Sequence, residues 1–217
     1  EAVDNLIAKG WLYDGTLEGA ILNHANLQGA NLAYANLANA EFSAANLEGV
    51  VLYKADMSDI YAWDLNLRRA NLSRALFVNA ILKKVSLREA NLYGSDFRHS
   101  DCCESSFRQS KLYEADLSYS QMVGANFAQA NLHKAILTET NLNNANFSDA
   151  DLRQAQLIGA SLQDSNLSNA NLFETDFSFA NLQGADMSGA NLNRTVFNGA
   201  NVKLRQILQA ESVKDVT

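Results

Sequence analysis

From Leu12 to Val202 every fifth residue is large and apolar, with Ala62 and Cys102 as the exceptions. Two positions before each of these the side chain is nearly always small, as at Ala20, Ala25, Ala30, Ala125, Ala145, Ser165 and Ala190. Neither regular element tolerates such a period. On an α-helix five residues advance about 500°, so successive leucines rotate by about 140° and define no stripe. On an unbroken strand an odd step sends every second leucine to the opposite face. The chain must therefore turn once per unit, so that each central side chain points to one axis.

Four such units close a coil of twenty residues. The bulky rings support that number: Phe77 and Phe97 are twenty apart, as are Phe107, Phe127 and Phe147, and Phe177 and Phe197. Stacked coils put these rings on equivalent walls. Repetition at a fixed period marks a solenoid, in which each repeat buries its apolar residue against its neighbours.

The runs Ala30-Asn31-Leu32, Ala35-Asn36-Leu37, Ala115-Asp116-Leu117, Ala150-Asp151-Leu152 and Ala185-Asp186-Met187 resemble the A(D/N)LXX unit of the pentapeptide-repeat family. That resemblance implies an all-β fold, a right-handed quadrilateral parallel β-helix in which the central residue and the small residue point inward. At about 4.8 Å per coil, nine to ten coils give a rod of about 45 Å. Residues 11–202 are expected to form it. Residues 1–10 read as an N-terminal capping helix, with Ala2, Val3, Leu6 and Ile7 at helical spacing and Gly10 as stop. Residues 203–217 read as a C-terminal cap helix and tail: Arg205 ends the repeat, and Leu204, Ile207 and Leu208 suit an amphipathic helix. A dimer contact is the alternative for this segment.

Proline is absent, as expected where backbone N–H groups serve ladders almost everywhere. The Asn and Asp before each central residue read as turn-forming groups that bond nearby backbone. Around Ile60, Ala62, Trp63 and Leu65 core volume is redistributed, a close-packed core requiring it, with a local bulge as the alternative. Ser95, Ser100, Ser105 and Ser110 occupy all four small positions of one coil around Cys102, which predicts a narrower layer with hydroxyls bonded to backbone. Cys102 is expected inward and Cys103 outward, a pair poorly placed for a disulfide or a metal.

No catalytic constellation is present in the sequence. His24, His99 and His133 fall at outward positions without a nucleophile and an orienting acid beside them. There is no Walker-type phosphate loop, and no apolar run approaches the roughly 20 residues that span a bilayer. The expectation is a non-enzymatic chain without cofactor, metal or small-molecule substrate.

The net charge of -7 is unevenly distributed. Glu1 to Asp64 holds nine acidic and two basic residues, Leu65 to Lys111 nine basic and four acidic, and Leu112 to Asn201 nine acidic and three basic. Within this basic girdle Arg68, Arg88 and Arg108 form one column. Tyr53, Tyr93, Tyr113, His133 and Phe173 form another. Arg68, Arg88, Arg108, Tyr93 and Tyr113 are the candidate interaction surface, although arginines screened by salt and a wall-stiffening aromatic stack explain both columns without a partner.

The preferred reading is a rigid scaffold or protein-protein interaction module, monomeric or dimeric through its C-terminal segment. The alternative comes from the resemblance: some pentapeptide-repeat proteins imitate duplex DNA and bind DNA gyrase and other type II topoisomerases. The girdle opposes it, since a DNA mimic needs continuous negative potential. Direct nucleic-acid binding is disfavoured by the acidic balance. The chain begins with Glu1 rather than Met, which reads as a processed protein or a fragment of a longer one. Cytoplasm is the default compartment, with periplasm and thylakoid lumen as alternatives.

Overall fold

The backbone N–H groups of one unit, Asn131 to Ala135, show why this sequence coils. The computed structural model describes residue 15 and residues 17–217. Asn131 N–H donates to Ser110 O in the preceding coil at 2.9 Å, while Leu132 and Lys134 donate to Asp151 O and Arg153 O in the following coil at 2.7 and 3.0 Å. Ala135 N–H closes the corner on Leu132 O at 2.9 Å. His133 N–H, which no ladder reaches, donates to the side chain of Asn131 at 3.0 Å. All five donors are used, which leaves no place for proline.

The same side-chain bond recurs from Asn26 to Gln28, Asp56 to Ser58, Asp96 to Arg98, Asn146 to Ser148 and Asn191 to Asn193. The Asn and Asp residues are thus the fifth acceptor of the unit, lying on the wall rather than in the corner. Adjacent Asn side chains also bond between coils, as from Asn66 to Asn46 at 2.9 Å. The bond across the corner, together with a positive φ at its third residue, is the signature of a type II turn. That residue has φ near +60° throughout, from His24 at 59° and Tyr34 at 64° to Arg194 at 59°.

Parallel bridges join each residue to the one twenty later, in four columns that begin at Ile21↔Glu41, Asn26↔Asn46, Asn31↔Val51 and Asn36↔Asp56. We number the walls by their central residues: the first wall carries Phe42, Ala62 and Leu82, the second Leu47, Leu67 and Leu87, the third Leu52, Leu72 and Leu92, the fourth Met57, Phe77 and Phe97. Central residues from Leu32 to Leu192 and the small residues between them are buried in one continuous core. Full burial of a Leu or Phe contributes roughly 1.5 to 3 kcal/mol. Leu17, Leu22 and Leu27 at the other end are half-buried against it. The helix expected over residues 1–10 lies outside the described residues.

The rings stack as their spacing predicts: Phe77 on Phe97 at 4.6 Å, Phe107 on Phe127 at 4.7 Å, Phe127 on Phe147 at 4.8 Å and Phe177 on Phe197 at 5.5 Å. Phe97 and Phe107 stand on opposite walls and meet edge to face at 5.8 Å. Two rings spanning the tube leave the wall between them space for a small side chain, and Cys102 occupies it, fully buried. Ser95, Ser100 and Ser110 donate to the carbonyls of Leu92, Phe97 and Phe107.

Ile60, Leu65 and Val85 are buried where neighbouring units carry Ala, and Ala62 between the first two is buried as well. Volume is exchanged, as expected, and no bulge forms, because Tyr61↔Ile81, Ala62↔Leu82 and Trp63↔Lys83 keep the twenty-residue register. The direct bond across each of these three turns is absent, whereas the equally buried Val50 keeps its bond to Leu47 O at 3.1 Å. There the first wall forms two regular strands, β1 (Tyr61–Trp63) and β2 (Ile81–Lys83), paired in parallel. Ser105 bridges one such turn: its hydroxyl accepts from Val85 N–H at 2.9 Å and donates to Leu82 O at 2.5 Å.

At the C-terminal end the helix α1 (Leu204–Ile207) is a single turn. The expected amphipathic pattern is corrected here, since Leu204 and Leu208 are exposed, at 70% and 71%, Ile207 is half-buried, and the buried residue is Gln206. Its backbone N–H is taken by the helical turn to Lys203 O. Its side-chain amide instead donates to Leu182 O and Ala185 O at 2.8 Å each, while its Oε1 accepts from Lys203 N–H at 3.0 Å. The hydrogen-bonded ladder continues past the last residues of the repeat pattern. Leu192, Arg194 and Phe197 donate to Ser212, Lys214 and Thr217, so the last residues return to the ladder as a partial coil displaced by one residue, with the bridge Asn191↔Ser212.

Three outcomes follow from these contacts. Ser105→Ala strands a buried N–H and lowers the unfolding free energy by about 1 to 3 kcal/mol in urea melts, whereas Ser165→Ala, which removes a buried hydroxyl that has no partner, leaves it unchanged or higher. Equal losses in the two variants would refute this account of the coil. Gln206→Ala is expected to speed amide exchange at Leu192 and Arg194 before any change at Leu132. Burial pushes the Cys102 thiol up to about 12, so its contribution to stability is complete below the ordinary thiol value and is lost as pH rises from about 9. The wild type should therefore lose stability above pH ~9 more steeply than Cys102→Ala, by up to about 1.4 kcal/mol per pH unit; parallel curves would contradict it.

Candidate functional site

The five sequence-predicted surface residues lie on two adjacent walls. Arg68, Arg88 and Arg108 follow Leu67, Leu87 and Phe107 on the second wall, each at the position after the central residue. Tyr93 and Tyr113 take the equivalent position on the third. A corner carrying Arg69, Glu89 and Gln109 separates the columns. The ladders fix the Cα positions, so these side chains recur at the coil spacing of about 4.8 Å.

Much of the basic girdle is neutralised. Lys83 pairs with Asp101 at 2.9 Å and Lys84 with Glu104 at 3.6 Å on the first wall, and Arg98 pairs with Asp96 at 2.6 Å on the fourth. Arg69 meets Glu89 at 2.9 Å and Glu48 at 3.8 Å, while Arg68 reaches Glu89 at 3.6 Å. The hydrogen bond from Arg69, reinforced by the charge of Arg68, holds the Glu89 carboxyl below the ordinary carboxylate range. Among the described residues Arg74, Arg88, Arg108 and Lys111 of the girdle have no carboxylate within ion-pair distance, and of these Arg74 lies over the ring of Tyr93. The positive charge that remains is therefore concentrated where the second wall turns into the third, a distinction that spacing in the sequence does not reveal.

The arginine column also carries unsatisfied donors. The Nε atoms of Arg68 and Arg88 are shielded from solvent and have no acceptor, and Arg108 has one long bond from Nη2 to Gln129 Oε1 at 3.4 Å. Beyond Arg108 the same column continues with Ala128, Ser148, Ser168 and Ser188. These small residues leave a shallow open groove of about 250 Å³ with Asn126, Gln129 and Asn146 beside Arg108 and Asp149 at its far side.

The aromatic column is stacked only in part. Tyr93 lies on Tyr113 at 5.6 Å and Tyr113 on His133 at 5.4 Å, both nearly coplanar. Tyr53 is cut off by the small, buried Ser73 and meets Tyr34 edge-on instead. Phe173 is cut off by Arg153 and lies under Arg194 at 5.6 Å. Cations flank the ladder: Arg74 lies over its first ring, Tyr93, at 5.7 Å and Lys134 over its middle ring, Tyr113, at 5.9 Å.

Among the described residues no group of three or more His, Cys, Asp or Glu side chains is placed to hold a metal ion. Cys102 and Cys103 are both free thiols, pointing inward and outward as expected. No described helix is long and apolar enough to cross a membrane. Without a bulge Trp63 faces outward, and with Tyr61 and Ile81 it forms an exposed apolar patch on β1 and β2 whose extent the sequence does not show.

The family model for pentapeptide repeats matches in eight copies, over residues 16–59, 66–101, 90–129, 110–149, 125–164, 150–189 and 175–203. Residues 60–65, where two turns lack the direct bond, fall between the first two matches. Among solved structures the chain is similar to HetL, a pentapeptide repeat protein involved in heterocyst differentiation regulation from the cyanobacterium Nostoc sp. strain PCC 7120. The identity is 30% over 91% of this chain and 94% of HetL, with a TM-score of 0.46. It is also similar to QnrB1, a plasmid-mediated fluoroquinolone resistance protein, at 14% identity over 93% and 83% of the two chains with a TM-score of 0.47. A third is Rfr23, a pentapeptide repeat protein from the cyanobacterium Cyanothece 51142, at 26% identity over 50% and 64% with a TM-score of 0.35. A comparison with curated protein sequences finds no match. Repeat, register and family model agree: the chain belongs to the pentapeptide-repeat family, and its coil is the right-handed β-helix of that family.

Proposed function

We propose that this chain is a non-catalytic protein-protein interaction module, a stiff four-walled rod that presents side chains in register to a protein partner. The observation that carries this reading is the residual positive charge at Arg88 and Arg108 on the second wall and Lys111 on the adjoining third, which among the described residues have no carboxylate within ion-pair distance. Like charges about 4.8 Å apart repel by roughly 1 kcal/mol in water, so the column is kept at a cost that an anionic surface relieves. The Tyr93, Tyr113 and His133 stack around the corner offers flat apolar area beside it. Leu204 and Leu208, exposed on α1, are the surface through which a C-terminal dimer would form.

A DNA mimic acting on a type II topoisomerase is the competing reading. It needs a wall of unbroken negative potential, and the basic column interrupts the second wall over three coils. Affinity capture from the source organism with wild type and an Arg68→Ala/Arg88→Ala/Arg108→Ala variant tests the proposal. The variant is expected to lose at least one specific prey protein, and identical prey sets would overturn the assignment of this column. Purified DNA gyrase should supercoil DNA normally with the protein present at micromolar concentration; inhibition would move the reading to the mimic.

A further inference from the structure

Resting on the interaction reading above, we infer that the arginine column takes an acidic α-helix of a partner protein, laid along the rod axis over Arg68, Arg88 and Arg108. The spacing selects the helix. Two coil steps separate Arg68 from Arg108, about 9.6 Å. Acidic side chains at i, i+3 or i+4, and i+7 of a helix lie on one face and span about 10.5 Å. Three alternate side chains of an extended strand span about 13 Å, a mismatch of several ångströms over the same three arginines.

The chemistry is matched as well. Each guanidinium presents a planar fork suited to a carboxylate. Arg88 has no carboxylate partner, Arg68 shares Glu89 with Arg69, and the Nε donors of Arg68 and Arg88 are unused. A carboxylate between successive arginines gives those forks an acceptor once the side chains swing outward. Past Arg108 the small residues Ala128 and Ser148 leave room for the helix to continue, and Asp149 at the far side of the groove favours a neutral or basic residue there. The limits of the basic zone set the partner's size. Acidic stretches flank it on both sides, so a short acidic face fits while a long polyanion such as duplex DNA meets repulsion beyond it.

The column tolerates the variants that test it, because Ala128, Ser148 and Ser168 occupy equivalent positions in the same ladder. The probe is a fluorescein-labelled, end-capped helical peptide with Glu at i, i+4 and i+7 on one face, followed by fluorescence anisotropy at about 50 and about 300 mM salt. Saturable binding is expected, weakening with salt, and reduced about tenfold or more in Arg88→Ser/Arg108→Ser. A peptide with Lys in place of the three Glu residues should bind Arg88→Glu/Arg108→Glu and not the wild type, a reversal that a merely structural role for the arginines does not produce. No saturable binding by the Glu peptide, equal binding by the Ser variant, or stronger binding of a DNA duplex would each overturn the inference. If the peptide fails while affinity capture still yields a partner lost in the triple variant, the interaction reading stands and the acidic helix falls.

Discussion

Backbone hydrogen bonding at a twenty-residue pitch is the constraint on which the rest of this structure depends. In a regular unit four N–H groups are placed by the coil itself, two to the following coil, one to the preceding coil and one across the corner. The fifth requires an acceptor that the backbone does not supply, and the Asn or Asp before the central residue provides it. A buried or half-buried donor left unpaired costs about 1 to 3 kcal/mol, so the short side chain with an oxygen three bonds from Cα is selected unit after unit. In some units where that residue is not Asn or Asp, a side chain of the preceding coil takes over: Asn23 accepts from Ser43, whose hydroxyl in turn accepts from Trp63.

This arrangement separates the inside of the rod from its surface. Inside, one coil's volume is shared among four walls, so a ring on one wall requires economy on another. Phe97 and Phe107 touch across the axis and Cys102 is the consequence; Ile60 and Leu65 fill the space that Ala62 does not. Outside, the columns are free to carry any side chain that leaves the ladder intact, which is why the same outward position of the second wall holds Arg68, Arg88 and Arg108 and then Ala128 and Ser148. Function in such a molecule is written in columns.

The legibility of the sequence follows the same division. The leucine period and the small residue two before it reveal the core, because both are imposed by every coil. The paired phenylalanines are legible for the same reason. The hydroxyl of Ser105 is legible as a donor to backbone, but its second bond, accepted from Val85 N–H in the preceding coil where the bond across the turn is missing, is not. The C-terminal end is misread because the pattern lapses at Arg205 while hydrogen bonding does not: a Gln side chain stands in for a backbone N–H, and the ladder resumes one residue late at Ser212. The arginine column is legible as a spacing. Which of its members keeps a free charge is decided by the reach of Glu89 toward Arg68 and Arg69, and side-chain reach is a property of the folded surface.

A solenoid adds a particular electrostatic consequence. In a globular domain like charges close in space come from unrelated parts of the chain and their side chains can diverge. Here register places Arg68, Arg88 and Arg108 on rungs of one ladder, and their Cα atoms cannot move apart without breaking the bridges Asn66↔Ser86 and Ser86↔Ser106 beside them. Relief must come from rotamers, from salt or from an opposing charge. Arg68 finds Glu89, and Arg108 makes one long bond to a neutral amide; Arg88 has no acidic partner. The girdle's other cations on the first and fourth walls are paired by carboxylates of their own or the next coil. The second wall therefore differs from the first and fourth in lacking compensation, not in the number of charges it bears, and the physical case for a partner rests on that lack.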